Sequence, residues 1–160
     1  MPALLARSEH STVKVTKNAR PAFLDPSTIA WTEWVMEGTW FKLLRVNPAT
    51  GGFSMILKVS GNNLAPVHGH IGAFEGIMLE GGFGYGEDRG RPGYYAYECG
   101  GVVHQPNSDP DGFTLFAVLH GALTGYRDDG SCAAVVDAKL MYEMAAANNA
   151  VSHIDKPQDW

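Results

Sequence analysis

From Trp40 onward the chain is a succession of short apolar runs cut by glycine-rich breaks, and this rhythm restricts the fold more than any other feature. Two such runs, Trp40-Phe41-Lys42-Leu43-Leu44-Arg45-Val46 and Phe53-Ser54-Met55-Ile56-Leu57-Lys58-Val59, flank Asn47-Pro48-Ala49-Thr50-Gly51-Gly52, which reads as a hairpin connection. Further strand segments fall at 74–79, 83–85, 94–97, 102–104, 113–119, 123–126 and 131–136. Breaks such as Gly81-Gly82, Gly100-Gly101 and Asp128-Asp129-Gly130 part them. Many short strands at this spacing predict an all-β sandwich or barrel. No helical pattern alternates with them, which excludes a parallel α/β sheet.

The remaining segments frame that body. Residues 1–39 alternate charge and turn formers and read as an extended arm that packs on the barrel or on a partner subunit. Trp31, Trp34 and Trp40 crowd its end, and packing explains them more simply than ligand stacking. Residues 40–136 form the barrel, and 137–160 a closing helix and tail. Asp137 is placed to cap that helix, Leu140, Met141, Met144 and Ala145 give it an apolar stripe, and Asn148-Asn149 stops it.

Charge narrows the partners. The net charge is −5 and no Lys/Arg run occurs, so a polyanionic nucleic acid is not an expected partner. No apolar stretch approaches the roughly 18 residues of a membrane helix. The start, Met1-Pro2-Ala3-Leu4-Leu5-Ala6-Arg7, is too short and too soon polar for a secretory signal, so a cytoplasmic location is expected. Cys99 and Cys132 are too few for a disulfide framework and read as packed thiols. Charged residues are only 18% of the chain against about 25% in typical soluble domains, which predicts self-association as a homodimer or homotetramer.

The chemistry concentrates in histidine. His68 and His70 are separated by one residue at a strand start, so both imidazoles project to one face. His104 lies on a separate strand entered through Gly100-Gly101 and can meet them in a rolled antiparallel sheet. Glu75 shares the parity of Ile77 and Leu79, which predicts the inner face, where a carboxylate needs a partner or a metal. Imidazoles suit Fe, Zn, Cu and Ni, and three of them leave coordination positions open. His10 and His153 read as polar-segment residues and His120 as a structural histidine.

These residues resemble the cupin superfamily, whose first motif is G-x5-H-x-H-x3,4-E-x6-G and whose second is G-x5-P-x-G-x2-H-x3-N. The chain reads His68-x-His70-x4-Glu75-x6-Gly82, then Gly93-x5-Cys99-x-Gly101-x2-His104. Cys99 stands in place of the usual Pro, and Asn107 comes one residue early. The resemblance implies a single cupin jelly-roll β-barrel with an extended N-terminal arm and one short C-terminal helix. Within the superfamily the chain is most similar to the acetylacetone-cleaving and 2,4′-dihydroxyacetophenone dioxygenases, through Trp40-Phe41-Lys42-Leu43-Leu44, Asp128-Asp129-Gly130 and the closing helix. Those enzymes use mononuclear Fe(II) on three histidines to split a carbon–carbon bond next to a carbonyl, with O2 as co-substrate. The likeness implies His68, His70 and His104 as ligands of Fe(II), and a small carbonyl substrate chelating through two oxygens. Glu75 is then either a fourth ligand or a base. Gln105 and Tyr85 are candidates for contacts to substrate oxygens, and Ile77, Leu79, Phe113, Leu115 and Phe116 for the pocket wall. Zn(II), Mn(II) or Ni(II) in the same ligands would instead serve an isomerase, lyase or decarboxylase, or a zinc-binding sensor domain.

Overall fold

The computed structural model describes residues 12–160; residues 1–11, with His10 and the start Met1–Arg7, lie outside the described residues. In chain order the strands are β1 (Thr32–Glu33), β2 (Thr39–Asn47), β3 (Gly52–Val59), β4 (His68–His70), β5 (Phe74–Tyr85) and β6 (Asp88–Gly90). They continue as β7 (Tyr95–Glu98), β8 (Val103–His104), β9 (Asn107–Leu119), β10 (Leu123–Tyr126) and β11 (Cys132–Val136), before helix α1 (Ala138–Ala147). They pair into two antiparallel sheets: a large one in the order β1-β2-β3-β9-β5-β6, with β7 also on β5, and a small one in the order β11-β10-β4-β8. The result is a two-sheet antiparallel sandwich, consistent with the expected jelly roll; among the described residues strand pairing does not close it into the expected single barrel.

Alternation explains the core. Phe41 and Leu43 on β2, Met55 on β3 and Met78 on β5 point inward and are fully buried. α1 packs against β2 through Met141, and Asp137 caps it by accepting from the Leu140 amide at 2.9 Å. Part of the segment read as an arm is integral to this body. Ile29 and Thr32 are buried and β1 pairs with β2, whereas residues 12–25 are exposed. Arg20 ties that exposed stretch to Asp155 in the tail. Both cysteines, expected as packed thiols, are exposed instead.

The largest departure from the sequence reading lies in β5. Gly81-Gly82 does not end the strand. The register shifts between Met78 and Glu80 and again between Gly81 and Phe83, so the strand bends and continues to Tyr85. Gly81 makes this crossing because its φ is +64° and because a Cβ there would lie 1.9 Å from the Gly112 carbonyl oxygen. The bend lets one strand present Phe74 and Tyr85 to the same interior. Gly81→Ala is expected to lower stability by about 2 kcal/mol or more, through backbone strain and clash. Urea unfolding measures it, and an unchanged midpoint would contradict this role for the glycine.

Candidate metal centre

The small sheet assembles three imidazoles by register alone. β4 pairs with β8 so that His68 lies opposite His104, and opposite residues send their side chains out on the same face. His70, two residues on from His68, shares that face. Gly101, with φ +87°, turns the chain between β7 and β8 so that its amide donates to the His70 carbonyl at 2.7 Å. His104 Nε2 consequently lies 3.0 Å from His68 Nε2 and 3.1 Å from His70 Nε2. The ligand atoms of these three residues all fall within 4.8 Å of one another.

The electrostatics favour bare nitrogens at this meeting point. Burial depresses the His68 imidazole below its ordinary value. His70 is pushed down to about 3, by burial first and then by the neighbouring His104 and His68. His104 falls to about 4, again by burial first and then by His68. The tautomer of His68 is fixed by chemistry: Nδ1 is 2.9 Å from the Pro66 carbonyl, which can only accept, so Nδ1 carries the hydrogen and Nε2 is a free lone pair. His104 Nε2, with at most one hydrogen, cannot satisfy both neighbouring nitrogens. A cation among the three satisfies all of them, and Nε2 bonds of about 2.0–2.1 Å fit such spacings. The residues present therefore fit a divalent ion, with the Pro66 carbonyl orienting one ligand from behind.

These shifts have a stability consequence for the metal-free protein. Below the ordinary imidazole value of 6.5 the unfolded chain binds protons that folded His70 and His104 refuse until about pH 3 to 4. Acidification from about pH 7 to about pH 5 therefore favours unfolding. In the presence of a chelator the urea midpoint is expected to fall over that interval, and a midpoint that stays level or rises would contradict the depressed values.

The carboxylate beside the imidazoles is Glu98, at the end of β7, a residue not singled out from the sequence. Its Oε2 is 3.1 Å from His70 Nε2 and 3.6 Å from His104 Nε2. Burial raises its proton affinity, with a hydrogen bond from Tyr85 acting in the opposite sense. Tyr85 donates its hydroxyl to Glu98 and stacks on His104 at 5.1 Å between ring centres. Burial, and next the Glu98 carboxylate, raise the Tyr85 phenol, which stays protonated as a donor.

The other candidates divide. Glu75 is on the outer face, because Phe74 and Met78 take the buried parity of β5. There it accepts from Tyr95 OH at 2.7 Å and lies 2.7 Å from His120 Nε2, so its carboxyl sits below the usual range, and it is not among the clustered metal-ligating groups. Ile77, Leu79 and Phe116 likewise leave the pocket, whereas Phe113 and Leu115 line it. Gln105 is exposed and lines a shallow polar depression rather than the main cavity. His153 holds the Leu43 carbonyl at 2.8 Å, a structural contact.

The imidazoles line a cavity of about 310 Å³ between the two sheets. Its body is apolar, with Trp34, Phe83, Phe113 and Leu115 among its walls, and among the described residues no Lys or Arg lines it. Trp34 is held there by its indole N–H on Met141 Sδ at 3.0 Å. Such a chamber suits a small uncharged molecule whose polar atoms meet the imidazoles.

Comparison with known proteins agrees with this architecture. A family model described as a ChrR cupin-like domain matches residues 19–124. No curated protein sequence matches the chain. Among solved structures, an RmlC-like cupin protein from Ralstonia eutropha aligns with a TM-score of 0.75 at 20% identity, covering 87% of this chain and 93% of that one. A candidate acetylacetone dioxygenase from Methylibium petroleiphilum aligns at 0.72 and 21% identity, covering 83% and 99%. An acetylacetone dioxygenase from Acinetobacter johnsonii aligns at 0.70 and 16% identity, covering 86% and 98%. At these identities the likeness is one of fold. Among the described residues no helix is long and apolar enough to cross a membrane.

Proposed function

We propose that this chain, which belongs to the ChrR cupin-like domain family, is a mononuclear Fe(II) dioxygenase that cleaves a carbon–carbon bond next to a carbonyl in a β-diketone or hydroxyketone. One observation carries the reading: three imidazoles meet in the wall of a mainly apolar cavity that, among the described residues, no Lys or Arg lines. The fold shared with acetylacetone dioxygenases supports it.

His68, His70 and His104 would hold the ion. When bound, a divalent ion supplies Lewis acidity toward carbonyl oxygens and, as Fe(II), the redox partner that O2 requires. The chain's own residues do the rest. The Pro66 carbonyl holds the His68 ring so that Nε2 faces the centre. Glu98, buried and with raised proton affinity, takes the acidic proton between or beside the substrate carbonyls at its Oε2. Tyr85, hydrogen-bonded to the other carboxylate oxygen, orients Glu98 for that transfer. Phe83, Phe113 and Leu115 surround the apolar part of the substrate and exclude water from the reacting carbon.

A zinc-holding domain without turnover, or a non-redox cupin with Zn(II), Mn(II) or Ni(II), would use the same ligands. Metal analysis after anaerobic purification, joined to oxygen-electrode measurements with a panel of β-diketones and hydroxyketones, separates them. Stoichiometric iron and oxygen uptake with at least one such carbonyl compound is the expected result. Tightly held zinc with no uptake on any of them would overturn the dioxygenase.

A further inference from the structure

The row of the small sheet that carries two of the imidazoles continues past them onto bare backbone. Register sets His104 on β8 opposite His68 on β4, His68 opposite Gly125 on β10, and Gly125 opposite Ala134 on β11. Residues opposite one another across antiparallel strands share a face, and all four of these line the cavity. The next row is closed by full-sized side chains: Leu123, opposite both His70 and Val136, is buried, as is Val136. Inner faces of a sandwich ordinarily interdigitate such side chains. Beside His68 the sheet offers only a hydrogen and a methyl group.

Neither backbone nor packing asks for glycine at 125. Its φ is outside the positive range that favours glycine. The register of β10 slips between Gly125 and Tyr126, but only the positive-φ kind of bulge calls for glycine. A Cβ built on Gly125 would meet one neighbour, the Ala134 carbonyl oxygen at 4.0 Å. Every other strand glycine among the described residues would bring its Cβ to 3.3 Å or less from a neighbouring atom. A strand glycine that needs no turn and crowds no other backbone marks close approach by a ligand.

Shape and surroundings define that ligand. From β4 to β11 the bare strip spans two strand spacings, about 10 Å. It starts at the imidazoles and ends at the free edge of the small sheet, where Ala134 is exposed. The large sheet supplies the opposite wall, with Leu57 and Leu115 among its side chains. A flat apolar group fills the gap between bare backbone and such a wall. We infer that Gly125 and Ala134 form a specificity-determining subsite for a planar apolar substituent larger than methyl, carried by a substrate whose carbonyl end lies at the imidazoles. The subsite rests on the proposed carbonyl substrate and adds where its substituent lies and how large that group is.

The test is anaerobic calorimetric titration of the metal-loaded protein with acetylacetone and with benzoylacetone, which differ by one methyl replaced with phenyl. Gly125→Val and Ala134→Leu fill the strip, and Val135→Leu, at a half-exposed position on the other face of β11, is the control. Metal analysis and thermal melts confirm loading and folding of each protein. Wild type is expected to bind benzoylacetone about tenfold or more tightly than acetylacetone, through the ring area buried. Both strip variants lose about that factor for benzoylacetone and hold acetylacetone within about twofold, and Val135→Leu keeps the wild-type preference. Equal affinity of wild type for the two probes, an undiminished preference in the strip variants, or an equal loss in Val135→Leu would each overturn the subsite. Binding of neither probe would remove the proposed substrate class and the subsite with it. Ring-selective binding without oxygen uptake in air would support the subsite and remove the dioxygenase, so the two readings fail separately.

Discussion

His104→Ala is expected to abolish stoichiometric metal binding. The residue supplies the nitrogen that bridges the other two, at 3.0 Å from His68 and 3.1 Å from His70. Its removal leaves two imidazoles on one strand and an open flank where β8 completed the set. Even residues that merely support a ligand cost 10–100-fold in metal affinity when lost, so deletion of a ligand is expected to cost about 100-fold or more. The control is His120→Ala. His120 is half exposed and paired with Glu75 on the outer face, so its loss leaves metal content at the wild-type level. Elemental analysis of the three proteins after identical purification reads both. Equal metal in His104→Ala and wild type would refute the centre.

The second large effect is expected at Glu98. Glu98→Gln retains the shape beside His70 and the hydrogen-bonding capacity toward Tyr85, but it cannot take a proton. Metal content stays near the wild-type level while turnover of a carbonyl substrate falls by about 10²–10⁴-fold, the usual worth of a positioned acid–base group. Glu75→Gln, in contrast, leaves turnover within about twofold, because that carboxylate faces away from the cavity and is satisfied by Tyr95 and His120. Steady-state oxygen uptake with matched metal loading measures both. A Glu98→Gln enzyme with wild-type turnover, or a Glu75→Gln enzyme without it, would reverse the assignment of the two acids.

That assignment is also where the sequence was least legible. The three histidines could be read from two simple facts, the i, i+2 parity of a strand and a second strand entered through glycines. The parity of β5 could not. From Phe74 to Leu79 both faces carry large apolar residues, because Phe74 and Met78 serve the core while Ile77 and Leu79 lie on the outer face. Alternation then gives no sign of which side is inside, and Glu75 falls with the wrong set. Glu98 did carry a signal: on β7, Tyr95 and Tyr97 take the exposed parity, which leaves Ala96 and Glu98 turned inward. A carboxylate on the small-residue parity of an aromatic strand is the clue that identifies it.

The fold class was readable for similar reasons, and its exceptions have local causes. Glycine reads as a break at Gly81-Gly82, yet there it permits a bulge within one long strand. β9 extends back through Gly112 and Pro110, which look like a loop in isolation, to Ser108 and Asn107, which pair with Phe83 and Gly84 on the far half of β5 once that strand has bent. β6, a three-residue return after Gly86 at φ +57°, is too short and polar to register as a strand without its partner. Long-range pairing supplied what local propensity could not.

X-ray absorption at the metal edge of the loaded protein tests the centre most directly. Wild type is expected to give a first shell containing three imidazole nitrogens at about 2.0–2.2 Å, with the multiple scattering of the rings, and His104→Ala to lose that pattern. A shell of oxygen or sulfur donors without imidazole scattering would mean that the ion binds elsewhere and that His68, His70 and His104 do not hold it.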